Sequence, residues 1–193
     1  MGDPKFPRAR WSRPSRPFQA DRIQAENELL GQFGLKNKRE LWKAESQLRH
    51  WRQRARVLQA QVRYGDTQAE KEVEELLQRL ARVGILSSSG AHLDDVLTLQ
   101  TRHILERRLQ TVAYLKGLAH TAKQARQFIV HGHVSIGDRK VTIPGYLVRR
   151  DEEDSIRYHP HSDLANEAHP ARPSWEVIEA RRLAQEGGES RGE

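Results

Sequence analysis

"LERRLQTVAYLKGLAHTAKQARQFIVHGHVSI", residues 105–136, changes its hydrophobic period partway along. Ile104 or Leu105, then Leu109, Val112 and Leu115, recur at helical spacing, and Gly117 follows where a helix would end. Arg107 and Arg108 project from the first turns of that expected helix. Thr121 and Gln124 have the spacing of a capping box. They open a second helix whose Ala125, Phe128 and Ile129 face inward and whose Lys123, Arg126 and Gln127 face the other way. After Gly132 the period becomes 2: "HVSI" reads as a strand, "GD" as a turn and "RKVTI" as the return strand. Pro144-Gly145 breaks it, and "YLV" and "SIRYH" read as two further short strands around the acidic turn "DEED". Residues 102–160 therefore read as two helices followed by a small antiparallel sheet, an α+β unit.

Upstream, the pattern is helical. Leu41, Leu48, Ala55 and Val62 recur every seven residues, with Ala44, Trp51 and Leu58 between them, which predicts a one-sided helix from about Glu40 to Arg63. Arg49, Arg52, Arg54, Arg56 and Arg63 take much of the rest of its surface, and Gly65 ends it. Asp66 or Thr67 can cap a second helix, with Val73, Leu76, Leu77, Leu80 and Val83 on its apolar face and Gly84 as its stop. The short connection makes residues 40–84 a hairpin inside a helical domain, 21–101. Trp51 sits in the stripe and reads as core; Trp42, beside the stripe, stays open. Residues 1–20 are an extended basic arm, because four prolines there block helix. In that arm Lys5, Arg8, Arg10, Arg13 and Arg16 interleave with Phe6, Trp11 and Phe18, a pattern suited to threading between RNA helices. Residues 161–193 form a C-terminal segment. Its "SWEVIEARRLAQE" predicts a short helix returning to the helical domain, so that the α+β unit is an insertion, and "GGESRGE" is expected to be disordered.

Charge is segregated along the chain. Residues 1–63 carry net +9 and 102–150 net +8, whereas 64–101 and 151–193 carry −4 and −6. The overall +7 thus understates the field of the two basic segments. Arginine dominates them, and guanidinium grips phosphate in a bidentate fork, which favours nucleic acid as a partner. Apolar residues are only 36% of the chain, so the core is expected to be modest and part of the chain to gain order from a partner. The absence of cysteine removes disulfides, thiolate zinc sites and cysteine nucleophiles. No apolar run approaches about 18 residues, and the N-terminal stretch lacks a hydrophobic segment, so a cytoplasmic protein is expected.

Nine histidines invite a metal reading, but neither H-x-x-x-H nor H-E-x-x-H occurs, and "DEED" lacks the spacing of a calcium loop. No phosphate loop or nucleophile elbow is present either. No cofactor, no metal, no small-molecule substrate and no enzymatic activity are expected.

The quoted stretch resembles the S-four-type RNA-binding domain. It shares an opening Leu-x-x-Arg-Leu helix, a glycine, a Thr-x-x-x-Ala-Arg-Gln helix and a His-Gly-x-Val turn into a strand. The flanks "MGDPKFPRARWSRPSRPFQADRI", "FGLKNKRELWKAESQLR" and "LVRRDEEDSIRY" are similar to the S-four family of ribosomal proteins in its archaeal and eukaryotic form. The resemblance implies a structural constituent of the small ribosomal subunit that binds the 5′ domain of its rRNA early in assembly. It also implies a place beside ribosomal protein S-five, near the point where mRNA enters, with influence on decoding accuracy. Carried onto this chain, the RNA face is Arg107, Arg108, Thr121, Lys123, Gln124, Arg126, Gln127, His131, Gly132 and His133. The arm residues named above, with Lys36, Lys38, Arg39, Arg49 and Arg52, complete the expected RNA contacts. Two alternatives stand beside this: an RNA-modifying or tRNA/rRNA quality-control factor using the same domain type, and a DNA-binding helical protein.

Overall fold

A computed structural model of the chain describes residues 10–87, 90–167 and 169–173. The expected helix at 174–186, the expected disorder at 187–193, and Lys5 and Arg8 of the arm lie outside the described residues. The described chain is α+β. It opens with α1 (Ala20–Gln32), α2 (Lys38–Arg63), α3 (Thr67–Val83), α4 (Leu93–Thr98) and α5 (Thr101–Glu106). It continues with α6 (Leu109–Leu115), α7 (Ala122–His131), β1 (Val134–Ile136), β2 (Arg139–Lys140), α8 (Arg150–Glu153) and β3 (Ile156–Tyr158), then a 3-10 turn at Asp163–Ala165.

The expected hairpin is α2 against α3. Asn37 caps α2 by accepting the Glu40 N–H, and Asp66, one of the two candidates, caps α3 by accepting the Gln68 N–H. Leu41, Ala44, Leu48, Trp51, Ala55 and Leu80 bury between the two helices and the α4–α5 segment, where Val96, Ile104 and Leu105 close the first core. Each of the larger side chains contributes on the order of 1.5–3 kcal/mol of hydrophobic stabilisation there. Trp51 is core, as its place in the stripe predicts. Trp42 is half-buried, and its indole N–H donates to Glu26 at 3.1 Å.

A second core holds Leu109, Val112, Ala125, Phe128, Ile129, Val134 and Val148. It joins α6 and α7 to a three-stranded antiparallel sheet in the order β2-β1-β3. The helix expected to run through Leu105 and Leu109 is in fact two helices. Arg108 is extended at ψ 142°, and the break separates Leu105, in the first core, from Leu109, in the second. The cause lies downstream. The N–H groups of Leu109 and Gln110, orphaned at the start of α6, donate to Tyr146 O at 2.7 Å and Pro144 O at 3.2 Å. Val148 N–H donates to Arg107 O at 2.9 Å. So "YLV", expected as a sheet strand, instead makes one isolated bridge between Leu147 and Arg108 and caps α6 with its carbonyls. "DEED" is likewise not a simple turn. Asp151, Glu152 and Glu153 belong to the four-residue α8, held by the Arg149 N–H and the Tyr146 hydroxyl donating to Glu152. The return strand is shorter than expected, with Arg139 and Lys140 alone in β2.

Residues 10–19 of the arm have no regular structure until α1, yet Trp11 and Ser12 lie against α2. Trp11 packs on Trp42 with ring centroids 5.5 Å apart, and the Arg39 guanidinium sits 5.6 Å from the Trp11 ring. Ser12 N–H donates to Ser46 Oγ, and Arg49 donates to Ser12 Oγ.

Candidate nucleic-acid interface

The corner at the end of α7 follows from three local devices. Thr121 Oγ1 accepts the Gln124 N–H at 3.1 Å, and Gln124 Oε1 reaches back to the His120 N–H at 2.6 Å. Ala125, Phe128 and Ile129 turn into the second core. Gly132 then takes φ +78°; its N–H bonds Ile129 O, and His133 N–H bonds Phe128 O, the paired bonds of a Schellman stop. β1 starts two residues later.

Lys123, Gln127 and His131 are exposed and four residues apart, so they form a single line along the outer side of α7. Lys140 extends that line at the corner. A Cβ on Gly132 would sit 1.9 Å from Lys140 Cε, so the lysine lies directly across the glycine. The other end is extended by Lys36. It is exposed and stands two residues after Gly34, where an added Cβ would sit 3.0 Å from the backbone of Ala122 and Lys123. Lys140 was not among the expected RNA contacts. The hairpin register carries its signal: a two-residue turn at Gly137-Asp138 pairs Lys140 with Ser135, on the strand that leaves the corner. Gly132→Ala is expected to cost about 1–2 kcal/mol from left-handed strain and to push Lys140 off the corner. Thermal denaturation and RNA titration of the same variant measure both effects.

The remaining candidates divide sharply. Arg107, at the break between α5 and α6, donates to Val83 O at 2.8 Å, Glu153 at 2.9 Å and Val148 O at 3.3 Å, tying that break to α3 and α8. Arg108 is only 7% exposed and donates to Glu40 at 2.6 Å. Arg126 donates to both Glu40 oxygens, at 2.6 and 3.1 Å, and to Gln110 Oε1 at 3.1 Å. Gln110, 1% exposed, places its amide nitrogen 2.9–3.0 Å from the carbonyls of Phe33, Gly34 and Ala122. Arg108 and Arg126 therefore face the helical lobe rather than solvent, and Arg107 spans the seam between the lobes. Burial raises the Glu40 carboxyl, but the hydrogen bonds and charges of Arg126 and Arg108 outweigh it and hold the group below the ordinary carboxylate value.

Thr121 and Gln124 are likewise engaged, Thr121 as cap and Gln124 through His120 and a 3.0 Å bond to Ala171 O. His133 turns toward Ser162, with Nδ1 2.8 Å from Oγ, and stacks beside His131 at 6.2 Å. Elsewhere, Lys38 pairs with Glu26 at 3.0 Å, Arg52 donates to Leu99 O, and Arg39 covers Trp11. Arg10, Arg13, Arg16 and Arg49 are exposed. The outward surface is thus a cationic line with amide and imidazole donors. Such a surface can neutralise phosphates and hydrogen-bond sugar or base edges.

A family model described as the S4 domain matches residues 107–154, the span from the helix break through α8. The chain is 49% identical over 172 residues to the small ribosomal subunit protein uS4 of Thermoplasma volcanium, covering 89% of this chain and 86% of that one. It is 52% identical over 168 residues to the protein of the same name from Hyperthermus butylicus, covering 86% and 92%. With that from Thermoplasma acidophilum it shares 44% identity over 198 residues, covering 98% and 99%. By identity and by coverage of both lengths, the chain belongs to the uS4 family of small ribosomal subunit proteins.

Proposed function

We propose that this protein is a structural constituent of the small ribosomal subunit and binds its rRNA directly. The supporting observation is the exposed line Lys123, Gln127 and His131 along α7, with Lys36 and Lys140 beyond its two ends, in a chain that belongs to the uS4 family. Its uS4 relatives match over nearly their whole lengths, which favours a structural role over a tRNA/rRNA quality-control or modifying enzyme with a separate catalytic domain. In this reading the exposed line touches RNA. Arg107, Arg108, Arg126, Thr121 and Gln124 act through the frame, fixing the angle at which the line meets its target. Arg10, Arg13, Arg16 and Arg49 supply a second set of phosphate contacts along α2. The target is the 5′ domain of the small-subunit rRNA, recognised by folded shape because A-form RNA hides its major groove. A seat beside ribosomal protein S-five, near the point where mRNA enters, and an influence on decoding accuracy complete the proposal, with the cytoplasmic ribosome as its location.

The test is sucrose-gradient sedimentation of cell extract, together with titration of the purified chain against a 5′-domain rRNA transcript. Co-migration with small subunits and binding that weakens steeply with salt are expected. A chain that sediments alone and binds the transcript no better than an unrelated RNA overturns the proposal.

A further inference from the structure

Ile143 is a large apolar side chain left 63% exposed beside the break between α5 and α6. It stands on one lip of an open cleft of about 790 Å³ between the two lobes. Pro144 continues that lip, and Ile104 and Leu147 line the cleft from the interior. The opposite wall is α2, where Lys43, Gln47 and His50 follow at i, i+4 and i+7 and so share one face. Arg10, from the arm, also lines the cleft. Glu40 is the one acid there, and its charge is already countered by Arg108 and Arg126. Gly145 keeps the space open on the buried side: a Cβ there would lie 3.2 Å from Arg108 Nη2.

We propose that this cleft holds one unpaired nucleotide of the bound RNA, its base against the Ile143–Pro144 ledge and its phosphate at Lys43 and Arg10. The inference rests on the rRNA reading above and adds a contact away from α7. Charge complementarity selects the occupant. The rim is cationic and the ledge apolar, and an unstacked nucleotide joins a flat apolar face to a negative charge in one residue. Gln47 adds an amide that can both donate to and accept from a base edge.

The chain has no cysteine, so the I143C variant offers a single thiol for benzophenone maleimide. The labelled full chain, bound to a 5′-domain rRNA transcript and irradiated, is expected to crosslink to one unpaired nucleotide, mapped by primer extension. Ile143→Ser combined with Lys43→Ala is expected to weaken binding of that transcript about tenfold. Both positions are exposed, and the melting temperature should stay at the wild-type value. Crosslinks confined to paired nucleotides, or none although the complex forms, overturn the cleft assignment and leave the rRNA reading standing. Failure of the wild-type chain to bind the transcript overturns both. In reconstituted small subunits, a crosslink from position 143 to polypeptide instead of RNA assigns the cleft to a protein and overturns the nucleotide.

Discussion

Glu40→Ala is expected to destabilise the protein by about 3–5 kcal/mol, the range for removing one partner of a buried ion pair. Glu40 lies on α2 and accepts from Arg108 on one side and Arg126 on the other, residues 68 and 86 positions away. Arg108 cannot turn to water, being 7% exposed; its Nη2 donates to Glu40, and its buried Nε has no acceptor among the described residues. Truncation therefore strands a buried guanidinium, and the attachment of α6 and α7 to the helical lobe weakens with it. Against a typical total stability of about 5–15 kcal/mol, that loss is severe. Glu40→Gln keeps the shape but not the charge and should fall between wild type and Ala. Urea denaturation at neutral pH measures all three. The pH dependence has a fixed sign. The folded-state carboxyl lies below its unfolded value of about 4.3, so its contribution is present above that pH and is lost as pH falls through the folded value. The gap between wild type and Glu40→Ala should therefore narrow in acid. A gap of under about 1 kcal/mol at pH 7 would show that the bridge does not hold the lobes.

That bridge is also where sequence reading reaches its limit. Thr121, Gln124 and Gly132 were legible because capping and chain reversal are decided within about six residues. The α2–α3 hairpin was legible because its stripe repeats over many turns. Glu40 was not: it is a single acid in a basic run, and nothing local distinguishes it from a solvated one. For the same reason the two faces of α7 could not be told apart. Arg126 and Lys123 both leave the apolar side, and only the position of the helical lobe decides that one is paired and the other exposed. The split at Arg108 was hidden differently. Leu105 and Leu109 keep helical spacing across it, so the pattern runs on while the backbone breaks between two cores. "YLV" misled because its backbone does pair, but with the N-terminus of a helix instead of a strand.

The combined substitution Lys36→Ala, Lys123→Ala and Lys140→Ala is expected to lower affinity for a 5′-domain rRNA transcript about a hundredfold near physiological salt. All three lysines are exposed, and together they span the line from the start of α7 to its corner. Each phosphate neutralised contributes about 0.7–0.9 to the slope of log K against log salt, so losing three contacts should flatten that slope by about 2–3. The fold should be nearly indifferent, because exposed charges away from buried pairs change stability by about 0.5 kcal/mol or less. Arg107→Ala with Arg126→Ala makes the opposite signature. Both side chains hold the frame, so that pair should lower the melting temperature and weaken RNA binding while leaving most of the salt slope in place. Filter binding between about 50 and 200 mM salt, run beside thermal melts, separates the two patterns. An unchanged slope in the lysine triple variant would move the phosphate contacts off α7. A slope that collapsed in the arginine pair without loss of stability would return Arg107 and Arg126 to the RNA face. If each variant keeps to its own signature, the two sets of cations have different tasks: one meets phosphate, and the other sets the angle at which it is met.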